Sequence, residues 1–73
     1  MIPLIFAPVN KELVIETIKG GKNSNLRLNE LGLVKGKIVK IVNKRQMGPI
    51  LLQVDNSRLA IGQGIALKII VKI

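Results

Sequence analysis

Groups able to do covalent chemistry are scarce in this chain, and the scarcity narrows its function. The 73 residues contain no His and no Cys, which removes His-activated nucleophiles and the soft ligands of zinc, copper and iron–sulfur sites. Lysine is the one base available near neutral pH, and it would need heavy pKa tuning to act. Four carboxylates remain, Glu12, Glu16, Glu30 and Asp55. They are scattered; Glu12 and Glu16 are expected on one strand face, each with lysines near enough in sequence to pair. A hard cation would have to be held by these oxygens, and no dedicated cage is suggested. Gly20-Gly21-Lys22-Asn23 lacks the spacing and second glycine of a phosphate-wrapping loop and reads as a turn. No catalytic residue, metal site or cofactor is expected.

Charge points instead to recognition. Twelve Lys and Arg against four Asp and Glu leave a formal net charge of +8, which suits nucleic acid, an anionic lipid surface or an acidic protein face. Single-strand binding relies on aromatic stacking, and proline-rich ligands need an aromatic-lined groove. Phe6 is the only aromatic residue, so both are disfavoured, and a small nucleic-acid-binding barrel stays as an alternative resting on charge alone. The longest apolar stretch, Ile2 to Val9, is interrupted by Pro3 and Pro8 and falls far short of the ~20 residues that span a bilayer. Basic residues follow it rather than precede it, unlike a secretory signal. The N-terminus is therefore expected inside the fold, in a reducing, cytosolic setting where disulfides play no part.

The elements that would carry this surface are short. One domain, residues 1–73, is expected from the length, and 48 % hydrophobic composition is enough for a compact core. Glu12 to Ile18 reads as a β-branched strand stopped by Gly20-Gly21. Asn23, Ser24 or Asn25 then caps a helix of about two turns, with Leu26, Leu28 and Leu31 as its apolar contacts and Gly32 at its end. Lys37 to Arg45 fits either period, but its β-branched composition and glycine flanks favour a strand. Ile50, Leu52 and Val54 share one face of the next. Asp55-Asn56-Ser57 turns into a returning strand, Arg58 to Ile61; Gly62-Gln63-Gly64 breaks it, and Leu67 to Ile73 forms the last strand. About five strands and one short helix, with apolar residues on both faces of several strands, are expected to close into a small, mostly β barrel that leaves no open edge.

Five pieces of the chain, in order, bring a family into view. Ile18-Lys19-Gly20-Gly21 followed by Leu26-Arg27-Leu28-Asn29-Glu30-Leu31-Gly32-Leu33-Val34-Lys35-Gly36 resembles the glycine-rich turn and leucine-rich helix of the ferrous-iron transport protein A family. The strand from Lys37 to Val42, the turn Met47-Gly48-Pro49-Ile50, the strand Arg58-Leu59-Ala60-Ile61 and the closing Ala66-Leu67-Lys68-Ile69-Ile70-Val71 are similar to its remaining segments. The likeness runs from Leu4 onward. It implies an SH3-like fold and a cytosolic accessory protein of ferrous-iron uptake whose partner is the permease carrying a GTP-binding domain. Any membrane association would then run through that permease. Because related domains sit in metal-dependent repressors, a metal-binding regulatory domain is a further alternative.

The residues best placed to meet such a partner are Leu26, Arg27, Glu30 and Leu33 on and after the short helix, together with the basic run Lys35, Lys37, Lys40, Lys44 and Arg45. Together they would present an apolar spot ringed by positive charge. Against this stands a simpler role for each type: leucines that seat a helix on a barrel, and lysines that guard strand edges.

Overall fold

The computed structural model describes residues 1–73, except for the side chain of Ser24. Alternation of apolar and polar residues produces the sheet. On β2 (Glu12–Ile18), β3 (Ile38–Lys44), β4 (Ile50–Val54), β5 (Ser57–Ile61) and β6 (Ile69–Lys72), every second side chain points inward, as the two-residue repeat of a strand requires. Leu13 and Ile15, Val39 and Ile41, Ile50, Leu52 and Val54, Ile61, and Ile69 and Val71 are all buried as a result. A two-residue strand β1 (Ile2–Pro3) completes a six-stranded sheet in the order β1-β6-β2-β3-β4-β5, with every neighbouring pair antiparallel.

The sheet curls around a core that is wholly aliphatic. Among the described residues no polar or charged side chain is buried, and the one aromatic, Phe6, is 67 % exposed. Each fully buried Leu, Ile or Val contributes roughly 1.5–3 kcal/mol relative to exposure, so the core rests on numerous medium-sized side chains rather than a few large ones. Curling is assisted by two bulges. The pairing of β2 with β6 shifts between Ile15 and Thr17, and that of β3 with β4 between Ile41 and Asn43, which bends each strand and increases its twist.

Helix α1 (Lys22–Glu30) follows β2, and α2 (Gln63–Lys68) joins β5 to β6. α1 begins earlier than the polar cluster at 23–25 suggested. Gly21 is its N-cap with no side-chain cap bond, and Asn25 N–H already donates to the Gly21 carbonyl at 3.1 Å. Its end is as expected. Gly32 takes φ +90°, which side-chain-bearing residues resist. Through it, Leu33 N–H reaches the Leu28 carbonyl at 2.9 Å and Gly32 N–H the Asn29 carbonyl at 3.0 Å, a Schellman closure with both leucines in the core.

α2 corrects the expectation of a strand beginning at Leu67. Gly62, read as a breaker, is instead the extended N-cap of a helix that buries Ala66. The apolar N-terminal stretch likewise divides into β1 and a 3-10 turn, Leu4–Phe6, which drops Leu4 into the core. These two pieces close the barrel. The sheet order leaves β1 and β5 at its ends, and α2 lies against β1 and the 3-10 turn in the seam between them.

Two side chains tie the N-terminal segment and α2 to the end of β3 and the β3–β4 loop. Lys44 Nζ donates to the carbonyls of Ala7 at 2.7 Å and Ile5 at 3.1 Å. Gln63 Nε2 donates toward the carbonyls of Gln46, Gly48 and Arg45 at 3.0, 3.2 and 3.3 Å. Lys44→Met keeps the aliphatic stem but strands two part-buried carbonyls. Loss of hydrogen bonds to a charged donor predicts a cost of about 1–3 kcal/mol, a fall in Tm of roughly 5–20 °C for a domain of this size. Thermal unfolding followed by circular dichroism checks it, with Lys40→Met, on an exposed lysine, expected to leave Tm unchanged.

Candidate docking site

The docking set divides once it is folded. Leu26, Arg27 and Glu30 are exposed on α1, and Leu26 shows 61 % of its surface. Lys35 lies close by, because it and Val34 line the same depression as Asn25 and Asn29 of α1. Leu33 does not belong with them. It is 0 % exposed, since the left-handed turn at Gly32 folds the chain back beneath α1 and delivers Leu33 to the core.

The basic run disperses as well. Lys44 is occupied at the seam and leaves the docking set. Lys37 forms an ion pair with Asp55, Nζ to Oδ2 at 2.6 Å. Lys40 stands opposite Glu12 on β2 and Gln53 on β4, on the outer face of the sheet. Arg45 follows the last residue of β3, and eight residues of extended chain from Lys37 put it roughly 25 Å away. The structure therefore gathers Leu26, Arg27, Glu30 and Lys35 at the α1 end and leaves Lys37, Lys40 and Arg45 strung along β3.

The carboxylates do not converge either. Glu16 is the extra residue of the β2 bulge, so it breaks the alternation that would align it with Glu12. Glu16 lines the depression beside α1, whereas Glu12 shares a shallow cleft with Lys40, Gln53 and Asp55. Among the described residues no three of His, Cys, Asp and Glu are grouped to hold a metal ion.

One feature of this end was not anticipated from the residues. Two adjoining depressions, each of about 360 Å³, share Asn25 and Asn29 and together form a groove along α1. Lys22, Asn23 and Leu26 line one depression; Glu16, Thr17, Ile18, Val34 and Lys35 line the other. The amide oxygen of Asn25 is sealed from solvent and has no hydrogen-bond donor. The four-residue spacing of the two asparagines is the signal that was available in the sequence, for it places them on one helical face.

The fold defines a small SH3-like β domain whose first helix carries an exposed face bordered by two depressions. The comparisons agree. The FeoA domain profile matches residues 2–73, and the chain belongs to that family. It is 35 % identical over 99 % of its length to a Methanocaldococcus jannaschii protein named for Fe(2+) transport protein A, covering 87 % of that protein. Among solved structures, an iron uptake regulatory protein (FeoA) superposes with a TM-score of 0.90 at 31 % identity, over 97 % of this chain and 95 % of that one. Stenotrophomonas maltophilia FeoA, crystallised with zinc and described as an SH3 domain protein, gives a TM-score of 0.80 at 31 % identity, over 94 % and 87 % of the two chains.

The division between core and surface leucines is testable. Leu33→Ala is expected to destabilise by about 2–5 kcal/mol, a large share of the margin of so small a domain, whereas Leu26→Ala should stay within about 0.5 kcal/mol. Urea unfolding of the two variants measures both; equal effects would place Leu33 on the surface.

Proposed function

We propose that this protein is a cytosolic, non-catalytic accessory of ferrous-iron uptake that docks on the GTP-binding domain of the ferrous-iron permease and modulates it by contact. The family match across residues 2–73 and the iron-transport names of its relatives support the process. The observation that carries the docking reading is Leu26, a leucine 61 % exposed on α1, with Lys22, Asn23, Asn25 and Asn29 lining the same depression and Arg27 exposed next to it in sequence. An apolar centre with a polar, charged rim is the anatomy of a protein–protein contact. No helix is long and apolar enough to cross a membrane among the described residues, so contact with the membrane runs through the permease in this reading.

A second reading, direct metal binding, is favoured by the zinc complex of the Stenotrophomonas maltophilia relative. The residues present here do not fit a cage, because Glu12 and Glu16 fall in separate clefts and Asp55 is paired with Lys37. Calorimetric titration with Fe(II) or Mn(II) separates the two readings: stoichiometric heat supports a metal-binding regulator. The +8 charge alone leaves nucleic acid as a third partner class, which a salt-dependent titration with duplex DNA would reveal.

Mixing the purified chain with the soluble GTP-binding domain of its cognate permease should give binding that weakens with salt, as interactions between exposed charges are screened. Leu26→Ser with Arg27→Glu should weaken it at least about tenfold, a loss of ~1.4 kcal/mol or more, with Tm unchanged. Absence of binding at low ionic strength would overturn the docking reading.

A further inference from the structure

We infer that the groove along α1 takes an extended peptide segment bearing acidic side chains, its backbone held by the carboxamides of Asn25 and Asn29. This deepens the docking reading and rests on it only for which protein supplies the segment.

The spacing carries the inference. Asn25 and Asn29 both line the two halves of the groove, and residues four apart on a helix are displaced by about 6 Å along its axis. An extended chain repeats its backbone every two residues, at about 6.6–6.8 Å. Each carboxamide offers an acceptor and two donors, the complement of one backbone N–H and one C=O. Two amides at this interval therefore match successive dipeptide units of an extended strand, and they read its backbone rather than its sequence.

Asn25 adds an independent observation. Its Oδ1 is buried without a donor, although nearly all buried polar groups in folded proteins are paired. A peptide N–H entering the groove would supply the missing donor as the amide turns toward it. The opposite wall is shaped by a device that re-aims side chains: Glu16 is the extra residue of the β2 bulge and lies in the groove with Thr17 and Ile18. Ile18, Leu26 and Val34 provide apolar surface for alternate side chains of the segment.

Charge fixes the sign of the occupant. Lys22 lines one half with no carboxylate beside it, and Lys35 lines the other together with Glu16, the single carboxylate of the groove, on a chain of net charge +8. Acidic side chains at both ends of the segment meet a lysine. A metal ion is a poorer occupant, since one carboxylate and neutral amides on a cationic protein offset little of its charge.

The test uses the full chain, labelled with nitrogen-15, and a probe that owes nothing to the permease: a blocked octapeptide alternating Val and Glu, with a Val and Lys counterpart. The Glu probe is expected to shift the side-chain amide signals of Asn25 and Asn29 saturably, and the Lys probe to leave them in place. Asn25→Ala with Asn29→Ala should weaken the Glu probe at least about tenfold. Asn29→Ala alone, at an exposed position, serves if the double variant loses its dispersed spectrum. Silent amides at millimolar probe, equal response to both peptides, or undiminished binding by the variants would overturn the inference. Competition separates it from the docking reading. If the Glu probe binds but the permease domain cannot displace it, the groove stands and that partner falls. If the permease domain binds without moving the two amides, the groove falls and the partner stands.

Discussion

The fold depends on closing a seam that its own sheet leaves open. Six strands in the order β1-β6-β2-β3-β4-β5 have two ends, and a domain of this length cannot leave both edges and an aliphatic core in contact with water. The chain solves this without a further ladder. β1 is only two residues long and ends in Pro3, which has no N–H to offer a neighbour. Leu4 and Ala66 then enter the core from the 3-10 turn and α2. Lys44 and Gln63 complete the closure by donating to backbone carbonyls of the N-terminal segment and of the β3–β4 loop. Both are long side chains with terminal donors, able to reach across a gap that backbone pairing does not bridge.

The consequence for function lies in α1. α1 is held chiefly by its C-terminal closure, where Leu28 and Leu33 sink into the core and Gly32 turns the chain between them. The other described side chains of the helix are exposed apart from the half-buried Asn25. A helix anchored at one end leaves the remainder of its surface uncommitted to folding. Segments with few buried contacts are also where local opening is least costly and where binding surfaces are commonly found. The contacts that close the barrel, with Lys44 among them, are thus distinct from the exposed face of α1, where Lys22 and Lys35 border the two depressions.

Period-two alternation made the strands legible from the residues alone. β2 has the bounds its composition suggested, Glu12–Ile18, and Ile50, Leu52 and Val54 turn inward together. The helix end was legible because Gly32 is needed for the left-handed turn. What escaped is what a single residue can change without altering composition. A bulge inserts one residue and leaves no pattern behind, so the separation of Glu16 from Glu12 could not be read. Lys44 beyond the second bulge looked like any edge-guarding lysine. Gly62 and Gly64 read as breakers because glycine is unfavourable inside a helix, yet Gly62 lies outside α2 as its cap, and packing of Ala66 against the core outweighs the cost of Gly64 near the start. Leu33 reads from the residues as part of the docking face for a related reason. Helical spacing stops having meaning once the chain reverses at Gly32.

The net charge of +8 also takes on a different meaning in three dimensions. Asp55 neutralises Lys37 at the base of β3, Glu12 stands across from Lys40, and Lys44 is turned to the seam. Much of the basic run that suggested one continuous stripe is therefore compensated or internal. Single-stranded nucleic acid would require a stripe of that kind, tracking a phosphate backbone with aromatic faces beside it, and the outer face of β3 presents Lys40 alone between Ile38 and Val42 instead. Cations that flank a concave surface act differently. Their field lines concentrate in the groove between low-dielectric walls and raise the local concentration of an acidic partner before contact. Position, more than the total, is what makes this charge selective: Lys22 and Lys35 bracket the paired asparagines, so long-range attraction and short-range hydrogen bonding favour the same extended, acidic segment.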